Sequence, residues 1–383
     1  MKICVVTGSR AEFDLLKNLI VELKSDNFFK VKLIVTGAHL SSYFGKTINY
    51  IKNKAKVDKI IDISIKNDDI KNIANSFSLG VKKFSSTFEK IKPDAILILG
   101  DRYEIFTCAI SACFNRLPII HLHGGERTEG LIDENIRHSI TKLSHIHFVS
   151  TKEYKNRVIQ LGENKKLVFN VGSLGVESIK KIKLIKKSKL EKNLNVKFKN
   201  KIALISYHPE TLEKTRGQRN FKNFLNAISK LKNYTLVFTM PNADFGYKYI
   251  VKKLNNFTKK NKNSILIKSL GHDQYFSLCR HINLMIGNSS SGIIEIPSFK
   301  KPTINIGKRQ NGRLKPTSVI DSSHNSKEIL NKITLATSDR FLKKIKSMSN
   351  PYYQSNTSKK IKNILKKIEL KNLIFKKFVD IKQ

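Results

Sequence analysis

Residues 95–150 read AILILGDRYEIFTCAISACFNRLPIIHLHGGERTEGLIDENIRHSITKLSHIHFVS. Three short apolar runs, residues 95–99, 118–122 and 147–149, are separated by stretches 104–113 and 134–143, whose apolar positions recur at helical spacing. Strand, helix, strand in this order is how parallel strands are joined, because only a crossover brings the chain back to start a parallel neighbour. The ends of these strands carry Asp101, Arg102 and Glu104, then His121, His123, Glu126, Arg127 and Glu129, and the next helix opens with Asp133, Glu134, Arg137 and His138. Open α/β sheets bind ligands beyond the carboxyl ends of their strands. Acids, bases and guanidinium groups gathered there suit an enzyme acting on a phosphorylated or nucleotide-linked substrate.

The same alternation extends in both directions. Toward the N-terminus it predicts strands at 3–7 and 32–36 and helices at 12–23 and 73–90; beyond the quoted stretch it predicts a helix at 152–161 and a strand at 168–171. A polar, Lys-rich stretch, 178–200, reads as a domain boundary, with its run KKIKLIKKSKLEK a solvated linker or helix face. A second series of strands, 202–206, 236–239, 265–268, 284–286 and 303–306, follows, each trailed by a helical pattern. The expected fold is α/β, two Rossmann-like doubly wound domains, residues 1–177 and 178–350, facing an interdomain cleft. Residues 355–377 should form a final helix, Ile361, Ile364, Leu365 and Ile368 falling at helical spacing.

A chain of 383 residues with 40% hydrophobic content can fill two cores. Its formal charge of +42 would by itself suggest nucleic acid. The excess is mostly Lys, spread along the chain and accompanied by abundant Asn and Ile, and no zinc-finger spacing, aromatic RNA-binding motif or dimeric basic helix is present. It therefore reads as compositional bias on solvated surfaces, with no nucleic-acid partner. No run approaches the roughly 18 apolar residues of a membrane span, and MKICVVTGSR reads as a strand and turn, so a cytoplasmic protein without a membrane partner is expected. Cys4, Cys108, Cys113 and Cys279 have no CxxC spacing and read as buried free thiols.

TGSRAEF places Arg10 between the first strand and a helix where dinucleotide folds carry GxGxxG, so a nicotinamide cofactor is not expected. A helix N-terminus and a guanidinium together can hold a phosphate. GNSSSGIIEIPSFKKPTINIGKRQNGR resembles a second phosphate cradle, with Ser289 and Ser290 before a short helix. Glu295, about one and a half turns into that helix, can accept from ribose hydroxyls, and Arg309 and Arg313 can neutralise charge. His208, in SYHPET at a strand end, is a donor for a phosphate or leaving group. Asn242 and Lys268 also fall near strand ends and are candidates for the same nucleotide. Alternate residues on a strand share a face, so His121 and His123 can in principle meet one ion; HxH without a third ligand is a weak pattern, and no metal is expected.

GSRAEF, GDRYE, HLHGGERTEG, DENIRHSITK, HPET, GNSSSG and INIGKRQNGR occur in this order along almost the whole chain. Together they resemble the hydrolysing UDP-N-acetylglucosamine 2-epimerases of bacterial sialic-acid biosynthesis. The non-hydrolysing relatives typically carry GTRPE and HVEAGLR where this chain has GSRAE and HLHGGER. The resemblance implies a GT-B arrangement of the two domains, with the C-terminal segment, 351–383, returning to the first. It implies conversion of UDP-N-acetylglucosamine and water to UDP and N-acetylmannosamine, by elimination to 2-acetamidoglucal and hydration, without cofactor or metal. Asp101, Glu126 and Asp133 are the implied acid and base residues. Arg10, Arg102, His208, Ser289, Ser290, Glu295 and Arg309, with Asn242 and Lys268, are the implied substrate and UDP contacts. The family also implies a homo-oligomer, dimer or tetramer. Two other readings stay open: the same chemistry on UDP-N,N'-diacetylbacillosamine, and a glycosyltransferase of GT-B form.

Overall fold

The computed structural model describes residues 1–42, 45–65, 69–199, 201–212, 217–241, 246–268 and 270–380. It divides into two compact units: Met1–Glu126, Ile132–Ser178 and Tyr352–Gln383 form the first, and Arg127–Leu131 and Ile179–Pro351 the second.

In the first unit β1 (Lys2–Thr7), β2 (Lys30–Thr36), β3 (Lys59–Ile61), β4 (Ala95–Leu99), β5 (Ile119–Leu122), β6 (Ile146–Val149) and β7 (Val168–Asn170) form a parallel sheet ordered β3-β2-β1-β4-β5-β6-β7. Residue alternation on β1 sends Ile3 and Val5 to one core and Cys4 and Val6 to the other. Helices cover both faces, which is why β4 is apolar and buried at every position rather than alternating. The second unit repeats the plan with β8 (Lys201–Ser206), β9 (Tyr234–Thr239), β10 (Ser264–Ile267), β11 (Leu284–Gly287), β12 (Thr303–Ile306) and β13 (Val319–Ser322), ordered β10-β9-β8-β11-β12-β13 and again parallel. Strand order reverses between β1 and β4 in one sheet and between β8 and β11 in the other. Such switch points open a crevice at the strand ends.

The run 180–192 takes the helix-face alternative rather than the linker one. Its surroundings fold into helices Leu174–Lys181 and Lys187–Leu194, with Leu190 buried and Ile179, Ile182, Leu184 and Ile185 packed against the core of the second unit. Apolar residues interleaved with the lysines supply that face, and long Lys stems lie along apolar surface while their charges reach water. The final helix is shorter than expected, Thr357–Lys367, and buries Ile361 and Leu365 in the core beside helix Arg10–Lys24. Lys362 and Lys366 pair there with Glu22 and Asp26 at 2.7 and 2.9 Å. Strands β3 and β13 were missed because both are short edge strands without an apolar run. Cys113 is exposed, unlike the other three cysteines; it lies about 140° round its helix from buried Cys108. No helix among the described residues is long and apolar enough to cross a membrane.

Candidate active site

In the first unit the chain leaves β4 through Gly100, Asp101 and Arg102, and leaves β5 through His123 to Glu126. Helix Asp133–Leu143 follows, with Asp133 and Glu134 in its first turn, where the positive end of the helix favours carboxylates. One turn further, the buried guanidinium of Arg137 gathers these parts. Its Nε donates to Asp101 Oδ2 at 2.8 Å and a second nitrogen donates to the same oxygen; Nη1 donates to Glu134 Oε2 at 2.7 Å and to the main-chain oxygen of Glu126 at 2.8 Å. Burial by itself disfavours a charged guanidinium; the carboxylates of Asp101, Glu126 and Glu134 outweigh it and keep Arg137 charged. The side chain of Arg137 is 1% exposed, while those of Asp101 and Glu134 are 23% and 21% exposed, so the cation lies beneath carboxylates that reach the surface.

The far end of the same helix is also fixed. Lys142 and Lys376 both pair with buried Glu163 at 2.7 Å, and Lys376 donates to the main-chain oxygens of Lys142 and Ser144 at 2.6 Å. These contacts supply the carbonyls that a helix C-terminus leaves unsatisfied.

His121 and His123 do not share a face. β5 ends at Leu122, and His123 takes a left-handed backbone with φ of 67° that turns its ring to Glu126, with Nδ1 3.3 Å from Oε1. His121 is buried, its pKa lowered by burial to about 3, and its neutral ring donates from Nε2 to the oxygen of Gly100 at 2.8 Å. That bond ties β5 to the turn presenting Asp101. Arg102 and Arg10 both carry acidic partners: Arg102 Nε donates to Glu104 at 2.8 Å, and Arg10 Nε lies 3.6 Å from Asp14.

The second unit has its own cluster, at the β8–β11 switch. Gly287 ends β11 with φ of 143°, and a Cβ there would fall 2.0 Å from the oxygen of Ser206, so no side chain fits. Asn288 follows, buried, and clamps His208 through both of its main-chain groups: its Oδ1 accepts from His208 N at 2.7 Å and its Nδ2 donates to His208 O at 2.9 Å. The main-chain oxygen of Asn288 accepts from Arg309 at 3.2 Å and from Gln310 at 2.8 Å. Glu210 completes the frame by accepting from the main-chain N–H groups of Lys308 and Arg309 at 2.9 and 3.3 Å. Ser289 and Ser290 are half-buried just after Asn288, before the single turn Ser291–Ile294. Glu129, Gly130, Glu210, Leu212, Lys308 and Asn311 line a cavity of about 280 Å³ in the same unit.

The structure thus joins His208 and Arg309 through Asn288, next to Ser289 and Ser290. Glu295 stands past the end of its one-turn helix, not one and a half turns in, because it caps a 3-10 segment, Ile296–Phe299, with Pro297 in its first turn. Lys268 is exposed beyond edge strand β10, separated from β8 by β9, and has no hydrogen bond to the His208 cluster among the described residues. Asn242 lies outside the described residues. Sequence reasoning missed the structural roles of Arg137, Asn288 and Glu210, although DENIRH, GNSSSG and HPET contain them.

Two parallel doubly wound units with polar clusters at their switch points define an α/β protein of GT-B fold. In agreement, a crystal structure of UDP-GlcNAc 2-epimerase from Neisseria meningitidis bound to UDP-GlcNAc superposes with a TM-score of 0.81 at 21% identity, covering 96% of this chain and 100% of that one. The chain belongs to the UDP-N-acetylglucosamine 2-epimerase family, whose profile it matches over residues 21–366. Among its relatives, the GDP/UDP-N,N'-diacetylbacillosamine 2-epimerase (hydrolyzing) of Campylobacter jejuni is 44% identical, covering 99% of each chain. The polysialic acid biosynthesis protein P7 of Escherichia coli is 40% identical, covering 99% of this chain and 97% of its own.

Proposed function

We propose that the protein is a hydrolysing 2-epimerase that converts UDP-N-acetylglucosamine and water to UDP and N-acetylmannosamine. Arg137 supports this reading: one buried cation holds the carboxylate of Asp101 and the main chain of Glu126, on the helix that Asp133 opens. A carboxylate removes the proton at C2 of the sugar while the C1–O bond to UDP breaks, leaving 2-acetamidoglucal. Water then adds at C1 and a carboxylic acid delivers a proton to C2 from the opposite face. The C2 proton is weakly acidic, and its removal becomes feasible as the leaving diphosphate takes up charge. His208, Ser289, Ser290 and Arg309 are the groups assigned to that charge, with Arg10, Arg102 and Glu295 as further substrate contacts. Lys268, exposed at the sheet edge, and Asn242 are assigned to the outer part of the same nucleotide.

The same chemistry on UDP-N,N'-diacetylbacillosamine is the second reading, supported by the Campylobacter jejuni relative. Incubation with each UDP-sugar in deuterated water, followed by NMR, separates them. The first reading predicts UDP and N-acetylmannosamine deuterated at C2 from UDP-N-acetylglucosamine, without any acceptor. Turnover of the diacetylated sugar alone selects the second. An intact UDP-sugar that is consumed only when an acceptor is added refutes both in favour of a glycosyltransferase.

A further inference from the structure

Where strand order reverses between β1 and β4, two more carboxylates are buried that the reaction above does not use. Glu12 is 6% exposed and Glu104 is fully buried. Gly8 lies against both: its N–H donates to Glu12 Oε2 at 2.7 Å, and a Cβ on it would fall 2.6 Å from Glu104 Cγ and 3.3 Å from Glu104 Oε1. Glu104 Oε1 accepts from Arg102 at 2.8 Å. Glu12 Oε1 and Glu104 Oε2 are buried without a hydrogen-bond partner among the described residues. Two neighbouring carboxylates out of water cannot both ionise cheaply beside one guanidinium, and one of them keeps its proton. Arg102 faces Glu104, which leaves the proton to Glu12. Burial first, and then the charge of Glu104, push the Glu12 carboxyl well above the usual range.

We propose that Glu12 and Glu104 form a buried acid pair holding one proton, and that this proton lets Arg102 act as a cation toward the anionic diphosphate of the substrate. Glu12 is thus a positioning residue, acting through Arg102; the inference rests on the reading in which Arg102 contacts the nucleotide sugar. With Glu12 protonated, Glu12, Glu104 and Arg102 sum to no net charge. Ionising Glu12 makes the sum negative, and an anion at this strand end is then repelled. Among the described residues, other charged or titratable groups beside the pair are Arg10 and Asp14 on the Glu12 helix, Tyr103 next to Glu104, and His39 next to Thr7 and Arg10. Burial lowers His39 to about 3 and raises Tyr103, so His39 stays neutral and Tyr103 stays protonated across the neutral range.

The test compares KM for the UDP-sugar in wild type and Glu12→Gln between about pH 6.5 and pH 8.5. Wild-type KM should rise by about threefold or more across that range, while the amide, which cannot ionise, should give a flat KM. An equal rise in both proteins overturns the proposal. Should Glu12→Gln fail to fold, calorimetry of UDP binding to wild type near about pH 8, in two buffers of different ionisation enthalpy, reads the same proton. Net proton uptake on binding is expected, and its absence overturns the pair. Arg102→Met separates the two layers. An unchanged KM in that variant removes Arg102 from the substrate site; a raised KM together with equal pH slopes in wild type and Glu12→Gln overturns the acid pair alone.

Discussion

Replacing Arg137 by Lys keeps the charge and removes the fork. In the native protein two guanidinium nitrogens hold Asp101 Oδ2 while a third holds Glu134 and the main-chain oxygen of Glu126. A single ammonium nitrogen cannot reach acceptors spread around a planar group, so at least two charge-assisted bonds are lost, each worth about 1.5–3 kcal/mol. The Asp101 and Glu134 carboxylates reach the surface and are partly rehydrated, so the expected stability loss is about 3 kcal/mol, the low end of that sum. In surviving folded enzyme, Asp101 and Glu126 lose their common anchor, and a displacement of about 1 Å lowers turnover by about 100-fold. Nucleotide affinity should change by less than about threefold, since uniform binding is lost only where the nucleotide itself is touched. The assay is kcat and KM by UDP release, UDP affinity by calorimetry, and melting followed by circular dichroism. A folded Arg137→Lys enzyme with wild-type kcat would refute the argument, since charge without geometry would then suffice.

Asp101→Asn and Glu126→Gln should each lower kcat by about 10²–10⁴-fold while sparing UDP affinity, and a variant with wild-type turnover is not a proton-transfer residue. Asn288→Ala removes both side-chain bonds to the main chain of His208 and should weaken UDP binding by about tenfold with little change in kcat at saturation, read by calorimetry and steady-state kinetics. Gly287→Ala must fit a Cβ 2.0 Å from the oxygen of Ser206 at positive φ, and should destabilise the second unit by more than about 3 kcal/mol; an unshifted melt contradicts this. Acid should unfold the first unit early. Burial lowers His39 and His121 to about 3 and His145 to about 4, and also lowers His147, so these rings are neutral when folded and charge on unfolding. The unfolded state then binds more protons below about pH 6.5, and His39, His121 and His145 each remove up to about 1.4 kcal/mol by pH 5.5. Melting temperatures should therefore fall from pH 7 to 5, less steeply in His121→Gln.

The alternation of apolar runs and amphipathic stretches was enough for α/β architecture and two strand series, because strands covered on both faces must be apolar at nearly every position, as β4 is. Short edge strands escaped it: β3 and β13 bury little and carry no such run. The Lys-rich run 180–192 left linker and helix face both open for a related reason, since charge counts hide the spacing of Ile179, Ile182, Leu184, Ile185 and Leu190, and that spacing sets what is buried.

For the site, the sequence by itself determined which chemical groups gather at strand ends: Asp101, Glu126 and Asp133 in one series, and His208, Ser289, Ser290 and Arg309 in the other. Tertiary structure alone decided which groups hold them. Arg137 lies 36 positions from Asp101, and Asn288 lies 80 from His208. Likewise Glu12 and Glu104 become an electrostatic pair only because β1 and β4 are neighbours in the sheet. Local spacing reports the face a side chain takes on its own helix or strand. Which distant charge it meets, and in how little water, depends on strand order and crossover packing, and these physical conditions decide whether a carboxyl is held ionised, kept protonated or left to react.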